Sequence, residues 1–241
     1  MTTAVILAGG LGTRLRAVVP DAPKPMALIN GRPFLEHQMD YWIEQGITRV
    51  IISVGYMPDV ITSHFKNRYN GIPIDYALEE TPLGTGGGLL LAVAKLPDVK
   101  PFLVLNGDTF VECSLADIAL THASQKADWT MVTFKADMAD RYGGIDMNDG
   151  GQITGLRTGK AGLGEWGNAG VYMISPALFA TLGWRAGDKV SLEQDLLPKA
   201  LVSCARCYSS PCHGVFIDIG LPDDYVRAAK LAAFNPRKHI P

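Results

Sequence analysis

The stretch from Ala4 to Pro25, AVILAGGLGTRLRAVVPDAPKP, constrains the fold of this chain more than any other segment. It opens with an uncharged apolar run, which is typical of a strand buried on both faces of a parallel sheet. Gly9, Gly10 and Gly12 follow, and glycine-rich backbone can take positive φ angles and expose its N–H groups. A concave set of such N–H groups binds phosphate. We therefore predict a phosphate-binding loop after the first strand.

Two cations accompany this loop. Arg14 stands at its end, and Lys24 lies between two prolines that stiffen the backbone. The loop is not the dinucleotide fingerprint GxGxxG, because Leu15 occupies the place of the third glycine, and no Gly-Lys-Ser/Thr follows to complete a Walker A loop. A strand tip, exposed N–H groups and two positive charges together suit a polyphosphate.

Composition limits the classes of protein to which this chain can belong. The chain has 241 residues, 47% of them hydrophobic, which is enough for one sizeable core and predicts a single domain over 1–241. The net charge of −2 lacks the basic excess of a nucleic-acid binder. The apolar runs are too short to cross a bilayer, and Met1-Thr2-Thr3 leads directly into the first strand without a signal peptide. We expect a cytoplasmic protein with neither a nucleic-acid nor a membrane partner.

Strand and helix patterns alternate along the first half of the chain. Buried-strand patterns fall at 49–55, 72–78 and 102–105, and helical spacing falls at 32–45, 59–69 and 89–96. This alternation predicts parallel βαβ units, and hence an α/β, Rossmann-like three-layer sandwich with a mostly parallel sheet. Ligands bind at the carboxyl ends of the strands in such sheets, where the Gly9 loop, a Gly84 loop and Asp108 would meet.

The second half alternates less regularly. Residues 137–168 are rich in Gly and Asp with short strand patterns at 144–147 and 152–156, which predicts a small substrate-binding excursion. The remaining patterns predict helices at 115–124, 191–200 and 222–234, and strands at 129–135, 169–174 and 215–219. Residues 201–219 are interpreted as strands with a turn at Ser209-Ser210-Pro211.

Three of the four cysteines are close together in the sequence. Cys204, Cys207 and Cys212 precede His213 with a spacing that zinc sites use, whereas Cys113 stands apart. Residues three apart on a pleated strand point to opposite faces, which argues against a metal shared by Cys204 and Cys207. Reduced thiols are the favoured prediction, and a zinc site is the alternative.

Two carboxylates stand at the ends of apolar strands. Asp108 follows the strand at 102–105, and Asp218 lies between Ile217 and Ile219. A buried carboxylate needs a partner or a metal, and Mg²⁺ is usually held by one or two carboxylates together with substrate phosphates. We predict that Asp108 and Asp218 bind Mg²⁺, with buried hydrogen-bonded acids as the alternative.

Seven segments, in order along nearly the whole chain, resemble the sugar-1-phosphate nucleotidyltransferases: AGGLGTRL with PKP, EETPLGTGG, LNGDTF, RYGGI, NAGVY, SLEQDLLP and FIDIGLPDDY. Within this family the chain is most similar to the D-glycero-α-D-manno-heptose 1-phosphate guanylyltransferases. The resemblance implies the nucleotide-diphospho-sugar transferase fold, with a nucleotide-binding half near 1–110, a sugar-binding half near 111–220 and a closing helix at 222–234. The implied reaction is attack of the sugar phosphate on the α-phosphorus of GTP, with release of Mg-pyrophosphate and formation of GDP-heptose for a surface glycan.

The resemblance also implies residue roles. Arg14 would bind the β,γ-phosphates, and Lys24 would bridge the reacting phosphates. Such clamps offset a repulsion of about 4 kcal/mol for each pair of unit charges at ~4 Å and an effective dielectric of ~20. Nucleotide contacts are implied for Ala8, Gly9, Gly10, Gly12, Thr13, Glu79, Gly84, Thr85 and Gly86, Mg²⁺ ligation for Asp108 and Asp218, and sugar contacts for Gly144, Asn168 and Gly170.

One departure from the family concerns the sugar pocket. Many relatives carry a Glu-Lys pair shortly after the strand at 152–156, where this chain has Arg157-Thr158-Gly159-Lys160. Lys160 and Glu165 are predicted to replace that pair, and a solvated loop is the alternative.

Several functions stay open at this point. Within the same chemistry the alternatives are an N-acetylmuramate-1-phosphate uridylyltransferase and a mannose-1-phosphate guanylyltransferase. A non-catalytic regulatory subunit would tolerate loss of Arg14, Lys24, Asp108 or Asp218, but all four are present. An NAD-dependent oxidoreductase is disfavoured by Leu15. The predicted partners are a nucleoside triphosphate and a sugar 1-phosphate, and a homodimer is left open.

Overall fold

The computed structural model describes residues 2–10, 21–137, 142–157, 161–203, 205–231 and 234. The strands within these ranges are β1 (Thr2–Leu7), β2 (Leu28–Ile29), β3 (Arg32–Pro33), β4 (Ile47–Val54), β5 (Arg68–Tyr69), β6 (Ile72–Leu78), β7 (Phe102–Asn106), β8 (Thr109–Val111), β9 (Trp129–Lys135), β10 (Gly144–Met147), β11 (Ile153–Arg157), β12 (Trp166–Ile174), β13 (Cys207–Cys212) and β14 (Phe216–Asp218). The helices are α1 (Phe34–Glu44), α2 (Pro58–Phe65), α3 (Gly84–Val93), α4 (Leu115–Ser124), α5 (Phe179–Leu182), α6 (Leu197–Val202) and α7 (Pro222–Ala228). Helical turns of the 3₁₀ type cover Lys24–Met26 and Pro176–Leu178, and a π-helical turn covers Leu192–Leu196. No helix in these ranges has the length and apolar character needed to cross a membrane.

One large sheet organises the molecule, with the strand order β11-β10-β12-β7-β1-β4-β6-β5. Its centre is parallel, because β1 pairs in parallel with both β4 and β7, and β4 pairs in parallel with β6. On the other side of β7, β12 pairs antiparallel with β7 and with β9, and β13 joins β9 in parallel. The predicted α/β architecture with a mostly parallel central sheet is confirmed.

The strand order reverses at β1. From β1 the chain moves outward through β4 to β6, and it then crosses back to place β7 on the opposite side of β1. A crevice forms beyond the carboxyl ends of the strands at such a switch point. Leu7 and Asn106, the last residues of β1 and β7, are paired in register and border this crevice.

Both faces of the central sheet are buried. Ala4 and Ile6 of β1 belong to an apolar cluster that includes side chains of α1 and α2, whereas Val5 and Leu7 belong to a second cluster that includes side chains of α3. Alternate residues of a strand point to opposite faces, so a strand covered on both sides needs an uninterrupted apolar run. This explains the apolar segment that starts the chain.

A third and smaller apolar cluster joins β8 and β14 to the C-terminal segment. The two strands pair antiparallel, with Asp218 opposite Thr109, and we call this pair the β8–β14 ribbon. Phe110 and Ile217 from the ribbon pack with Phe34 and Phe234. The Phe110 and Phe234 ring centroids lie 4.8 Å apart. The ribbon therefore carries Asp218 beside the residue that follows Asp108.

The glycine-rich segment at 84–88 is helical, contrary to the predicted helix start at residue 89. A Cβ at Gly84 or Gly86 would lie within 2.9 Å of the Val190 carbonyl oxygen. The Gly87 N–H donates to the same oxygen at 3.0 Å. Close backbone contact between α3 and the segment before Leu192 thus outweighs the low helix propensity of glycine.

Other element boundaries were wrong for local reasons. The predicted turn at Ser209-Ser210-Pro211 lies inside β13, which pairs with β9 at the border of the sheet, where a proline is tolerated. The helix predicted at 59–69 ends at Phe65 because Lys66 takes a positive φ of 53°. The helix predicted at 222–234 ends at Ala228. The helix at 115–124 and the strand at 129–135 have the predicted bounds.

Replacing Gly87 by alanine should destabilise the fold. The new Cβ would lie 2.5 Å from the Asp188 carbonyl oxygen and 2.5 Å from the Leu83 Cβ. Overpacking of this kind costs about 1–3 kcal/mol, more than the roughly 1 kcal/mol that alanine gains over glycine within a helix. We expect a lower midpoint of urea unfolding. Gly143→Ala is the control, since its Cβ would meet the nearest atom at 3.5 Å. Equal midpoints for the two variants would contradict this interpretation.

Candidate active site

The crevice at the switch point opens into a cavity of about 520 Å³. This volume is in the range of small-molecule sites. The residues that line it are Leu7, Ala8, Gly9, Gly10, Lys24, Pro25, Ser53, Glu79, Pro82, Gly84, Thr85, Asn106, Gly107, Asp108 and Lys189. The cavity therefore lies at the sheet edge that the sequence predicts for ligand binding.

Glu79 closes one end of the cavity against the loop that follows β1. Its carboxylate accepts hydrogen bonds from Ser53 Oγ at 3.2 Å and from the Leu83 N–H at 2.9 Å. A Cβ on Gly9 would lie 2.1 Å from Glu79 Oε1, so a side chain there would displace this carboxylate from its position. The predicted nucleotide residues Ala8, Gly9 and Glu79 are thus brought together in one wall.

Lys24 lies at the other end, between the two predicted metal ligands. Its Nζ atom lies 2.6 Å from Asp108 Oδ2 and 3.6 Å from Asp218 Oδ1. Lys24 is buried, with 9% of its surface exposed, whereas the side chains of Asp108 and Asp218 are 35% and 20% exposed. A buried ammonium is tolerated when carboxylates face it, and here two of them do.

Glycines bring these charged segments into contact. A Cβ on Gly220 would lie 1.9 Å from Lys24 Nζ and 2.7 Å from Asp218 Oδ1, and the Gly220 N–H donates to the same carboxylate oxygen at 2.8 Å. Gly107 approaches β1 in the same way, since its N–H donates to the Leu7 carbonyl at 2.9 Å. The glycine in each of the motifs LNGD and FIDIG therefore has a steric reason.

The two carboxylates are chemically suited to a magnesium ion. Asp108 and Asp218 face one common point, where the positive charge of Lys24 already lies within 3.6 Å of both. Two carboxylates leave further coordination positions for phosphate and water oxygens, as Mg²⁺ requires. Within the described residues no group of three or more His, Cys, Asp or Glu side chains could hold a metal.

The segment at the start of α3 is tied to the π-helical turn. Thr85 Oγ1 donates to Glu193 Oε2 at 2.9 Å and accepts from the Leu192 N–H at 2.9 Å. Gly84 and Thr85 line the cavity, as predicted for nucleotide contacts. Gly86 was predicted with them, but it is buried against the Val190 carbonyl and is absent from the cavity lining.

The predicted sugar residues Asn168 and Gly170 lie in β12 and Gly144 lies in β10, on the side of β7 away from Glu79. Asn168 Oδ1 accepts from the Gly170 N–H at 2.9 Å, and Asn168 Nδ2 donates to the Tyr172 hydroxyl at 2.7 Å. Gly170 has a φ of +72°, and a Cβ there would lie 2.7 Å from Asn106 Nδ2. Because Asn106 lines the cavity, Asn168 and Gly170 form the layer behind it.

Glu165 and Gly144 both lie against the Arg157 side chain. Glu165 Oε2 accepts from Arg157 Nη1 at 2.8 Å and from the Gly162 N–H at 2.7 Å. The Gly162 hydrogen bond and the guanidinium lower the pKa of Glu165 below its ordinary value. A Cβ on Gly144 would lie 3.0 Å from the Arg157 guanidinium carbon. Neither Glu165 nor Gly144 is among the residues that line the cavity, and their predicted sugar contacts stay predictions.

Some predicted residues lie outside the described ranges. They are Gly12, Thr13 and Arg14 of the first loop, Lys160 of the sugar region and Cys204 of the cysteine cluster. Their predicted roles stay predictions.

Sequence reasoning missed seven of the residues that line the cavity, and three of these, Ser53, Asn106 and Lys189, have polar side chains. Ser53 and Asn106 lie at the carboxyl ends of β4 and β7, a position that could have identified them. Lys189 enters from a surface segment that the Val190 N–H fastens to the Leu83 carbonyl at 2.9 Å. No local pattern marks Lys189.

Comparison with known proteins finds relatives along nearly the whole chain. The family described as nucleotidyl transferase matches residues 3–233. The chain is 40% identical to D-glycero-alpha-D-manno-heptose 1-phosphate guanylyltransferase of Aneurinibacillus thermoaerophilus over 227 residues, which cover 94% of this chain and 96% of the relative. It is 35% identical to the protein of the same name from Campylobacter jejuni subsp. jejuni serotype O:2, with 92% and 96% covered.

Solved structures agree with these sequence matches. The crystal structure of HddC from Yersinia pseudotuberculosis superposes with a TM-score of 0.83 at 34% identity, covering 95% of this chain and 99% of that one. The structure of HddC complexed with GMP-PN gives a TM-score of 0.81 at 35% identity, with the same coverage.

Replacing Lys24 by methionine should leave Asp108 and Asp218 facing each other without a cation. We expect a loss of about 1–3 kcal/mol of stability, below the value for a fully buried pair because both carboxylates are partly exposed. Thermal melts in EDTA and in Mg²⁺ test this. Mg²⁺ should restore part of the loss by supplying the missing positive charge. The control is Lys95→Met, which removes an exposed ammonium. A K24M melting temperature that does not respond to Mg²⁺ would argue against a metal site between these carboxylates.

Proposed function

The chain belongs to the nucleotidyl transferase family, and we propose that it transfers the guanylyl group of GTP to D-glycero-α-D-manno-heptose 1-phosphate and releases pyrophosphate. The observation that carries the reaction type is Lys24 Nζ held by Asp108 and Asp218 at the end of a cavity whose opposite end is formed by Gly9 and Glu79. The choice of GTP and heptose is supported by the names of two relatives at 40% and 35% identity and by the HddC complex with GMP-PN.

The proposed step joins two anions. An oxygen of the sugar phosphate attacks the α-phosphorus of GTP, the bond to the β-phosphate oxygen breaks, and pyrophosphate leaves with that electron pair. The chain must hold both phosphates in line and reduce their mutual repulsion, with little acid–base work. Among the residues that the structure describes, Lys24 supplies the ammonium group that borders the cavity next to both carboxylates. Arg14 adds a second positive charge by the resemblance of its motif.

We infer that Asp108 and Asp218 hold Mg²⁺ for this reaction. When bound, the ion would neutralise negative charge on the phosphates. The chain contributes two carboxylates, which position the ion at the Lys24 end of the cavity, and phosphate and water oxygens would complete its coordination. Asp218 is itself oriented by the Gly220 N–H, which donates to Oδ1 at 2.8 Å.

The base would lie at the Glu79 end of the cavity. Glu79 presents carboxylate oxygens, which accept hydrogen bonds from the N–H groups on the Watson–Crick edge of a base. Ser53 and the Leu83 N–H hold that carboxylate in place, so its orientation is set before a ligand arrives.

The cytoplasmic location and the homodimer stay predictions from the sequence.

Pyrophosphate release from a matrix of substrates tests the proposal. GTP, UTP, dTTP, CTP and ATP are each combined with the 1-phosphates of heptose, mannose, glucose and N-acetylmuramate, in the presence of Mg²⁺. We expect the strongest signal for GTP with the heptose. A maximum at GTP with mannose, or at UTP with N-acetylmuramate, would replace the proposal by one of its alternatives. A folded protein that binds GTP but releases no pyrophosphate would indicate a non-catalytic subunit.

Asp108→Asn should lower kcat roughly 100-fold to 1,000-fold while leaving the fold intact, because an amide carries no charge to balance Mg²⁺. The apparent Mg²⁺ requirement should rise in parallel. Asp98→Asn is the matched control, since Asp98 is an exposed acid whose ion-pair partner is the neighbouring Lys100. Circular dichroism and thermal melts check the fold of both variants. Near-normal turnover of D108N at the same Mg²⁺ concentration would remove Asp108 from the metal site.

A further inference from the structure

Two thiols that are far apart in the sequence meet beside the β8–β14 ribbon. Cys113 follows β8, Cys212 ends β13, and their side chains are close enough for each thiol to shift the pKa of the other. The Cys212 S–H donates a hydrogen bond to the carbonyl oxygen of Glu112, the residue next to Cys113, at 2.9 Å. Both thiols are free in this structure. Cys113, which stands alone in the sequence, therefore has a sulfur partner in the fold.

Cys212 borders a second cavity, separate from the one between Glu79 and Lys24. Its volume is about 350 Å³, and its lining includes Lys135, Arg227 and Asp137, of which the last two form an ion pair at 3.3 Å. The cavity gives a small molecule a route to Cys212, which is otherwise buried. The thiolate form of a cysteine is the form that attacks a disulfide.

The two thiols differ in their tendency to ionise. The contact with Cys113 and the Gly214 N–H, which donates to Cys212 Sγ at 3.3 Å, lower the pKa of Cys212 to about 7, although burial and the charge of Glu112 act in the opposite direction. The same contact raises the pKa of Cys113, together with burial, so the pair ionises at Cys212 first. Cys207 lies on the same strand as Cys212, but burial raises its pKa to about 12. A thiol whose pKa is near the ambient pH is the most effective attacking group in disulfide exchange.

We propose that Cys113 and Cys212 form a reversible thiol–disulfide exchange site that reacts with low-molecular-weight disulfides of the glutathione type. The inference rests on the contact between the two thiols and on the second cavity, and it does not depend on the proposed nucleotidyl transfer.

The exchange proceeds in two balanced steps. The Cys212 thiolate attacks one sulfur of the small disulfide, the disulfide bond breaks, and one small thiol leaves with the proton that Cys212 has lost. Cys113 then loses its proton and attacks the Cys212 sulfur of the mixed disulfide, and the second small thiol leaves. Two protein thiols are oxidised by two electrons, and one small disulfide is reduced to two thiols.

A Cys113–Cys212 bond would close one end of the β8–β14 ribbon. Between the cysteines and the carboxylates, the Glu112 N–H donates to the Val215 carbonyl at 2.9 Å, and Val111 pairs with Phe216. Asp108 and Asp218 lie at the opposite end of the same ribbon. The covalent bond would therefore restrain the two strands that carry the carboxylates.

Intact-mass analysis after incubation with glutathione disulfide tests the exchange site. The wild-type protein and Cys207→Ser should each lose two hydrogens and retain no glutathione, and dithiothreitol should restore the original mass. Cys113→Ser should retain one glutathione on Cys212, because the second thiol is missing. Cys212→Ser should react at least about 10-fold more slowly. A wild-type protein that retains glutathione, or a bond that includes Cys207 or Cys204, would overturn the pairing.

Two measurements on the wild-type protein do not depend on the folding of any variant. Alkylation mapped by peptide mass should modify Cys212 before Cys207, with a rate that rises through a midpoint near the Cys212 pKa of about 7. Hydrogen exchange should slow for β8 and β14 amides after oxidation. Preferential alkylation of Cys207 would overturn the assignment of the attacking thiol, and unchanged exchange would overturn the restraint on the ribbon.

Discussion

The ammonium group of Lys24 is the charge around which the candidate site is assembled. It holds Asp108 at 2.6 Å and Asp218 at 3.6 Å, and these three residues come from segments that are far apart in the chain. Two carboxylates repel each other at such distances, so a cation between them makes the close approach of their segments favourable. The end of β7, the β8–β14 ribbon and the turn that carries Lys24 therefore depend on one another.

Backbone contacts at glycines give this arrangement its shape. Because Gly9 has no side chain, there is room for the Glu79 carboxylate at one end of the cavity. The absence of a side chain at Gly220 likewise leaves room for the Lys24 ammonium at the other end. Between them, Gly107 brings the end of β7 against Leu7. Because a side chain at any of these positions would collide with a neighbour, the cavity is enclosed by backbone as much as by side chains. This explains why the chemistry-bearing motifs contain glycine.

Local patterns in the sequence were sufficient to predict the mostly parallel central sheet and the edge of that sheet where the cavity lies. They also singled out Lys24, Asp108 and Asp218, which the structure brings together at that edge. Strand ends are visible in a sequence because an apolar run stops there, and parallel strands bring their carboxyl ends to one edge. Long-range contacts leave no such pattern. The helical start at Gly84 depends on backbone that lies about a hundred residues later, and the partner of Cys113 is equally distant. Lys189 also reaches the cavity through a long-range contact, because the Val190 N–H next to it donates to the Leu83 carbonyl.

Through the buried Phe234, the C-terminal segment supports the hairpin that follows Lys24. Asn30, in the hairpin that follows the Lys24 turn, donates from Nδ2 to the carbonyl oxygens of Ala229 and Phe234 at 3.1 and 3.0 Å. Cleavage before Phe234 would uncover the rings of Phe34 and Phe110 and release this hairpin from its support. A protease acting on this end of the chain would thus loosen the ammonium of the site without removing any residue that lines the cavity.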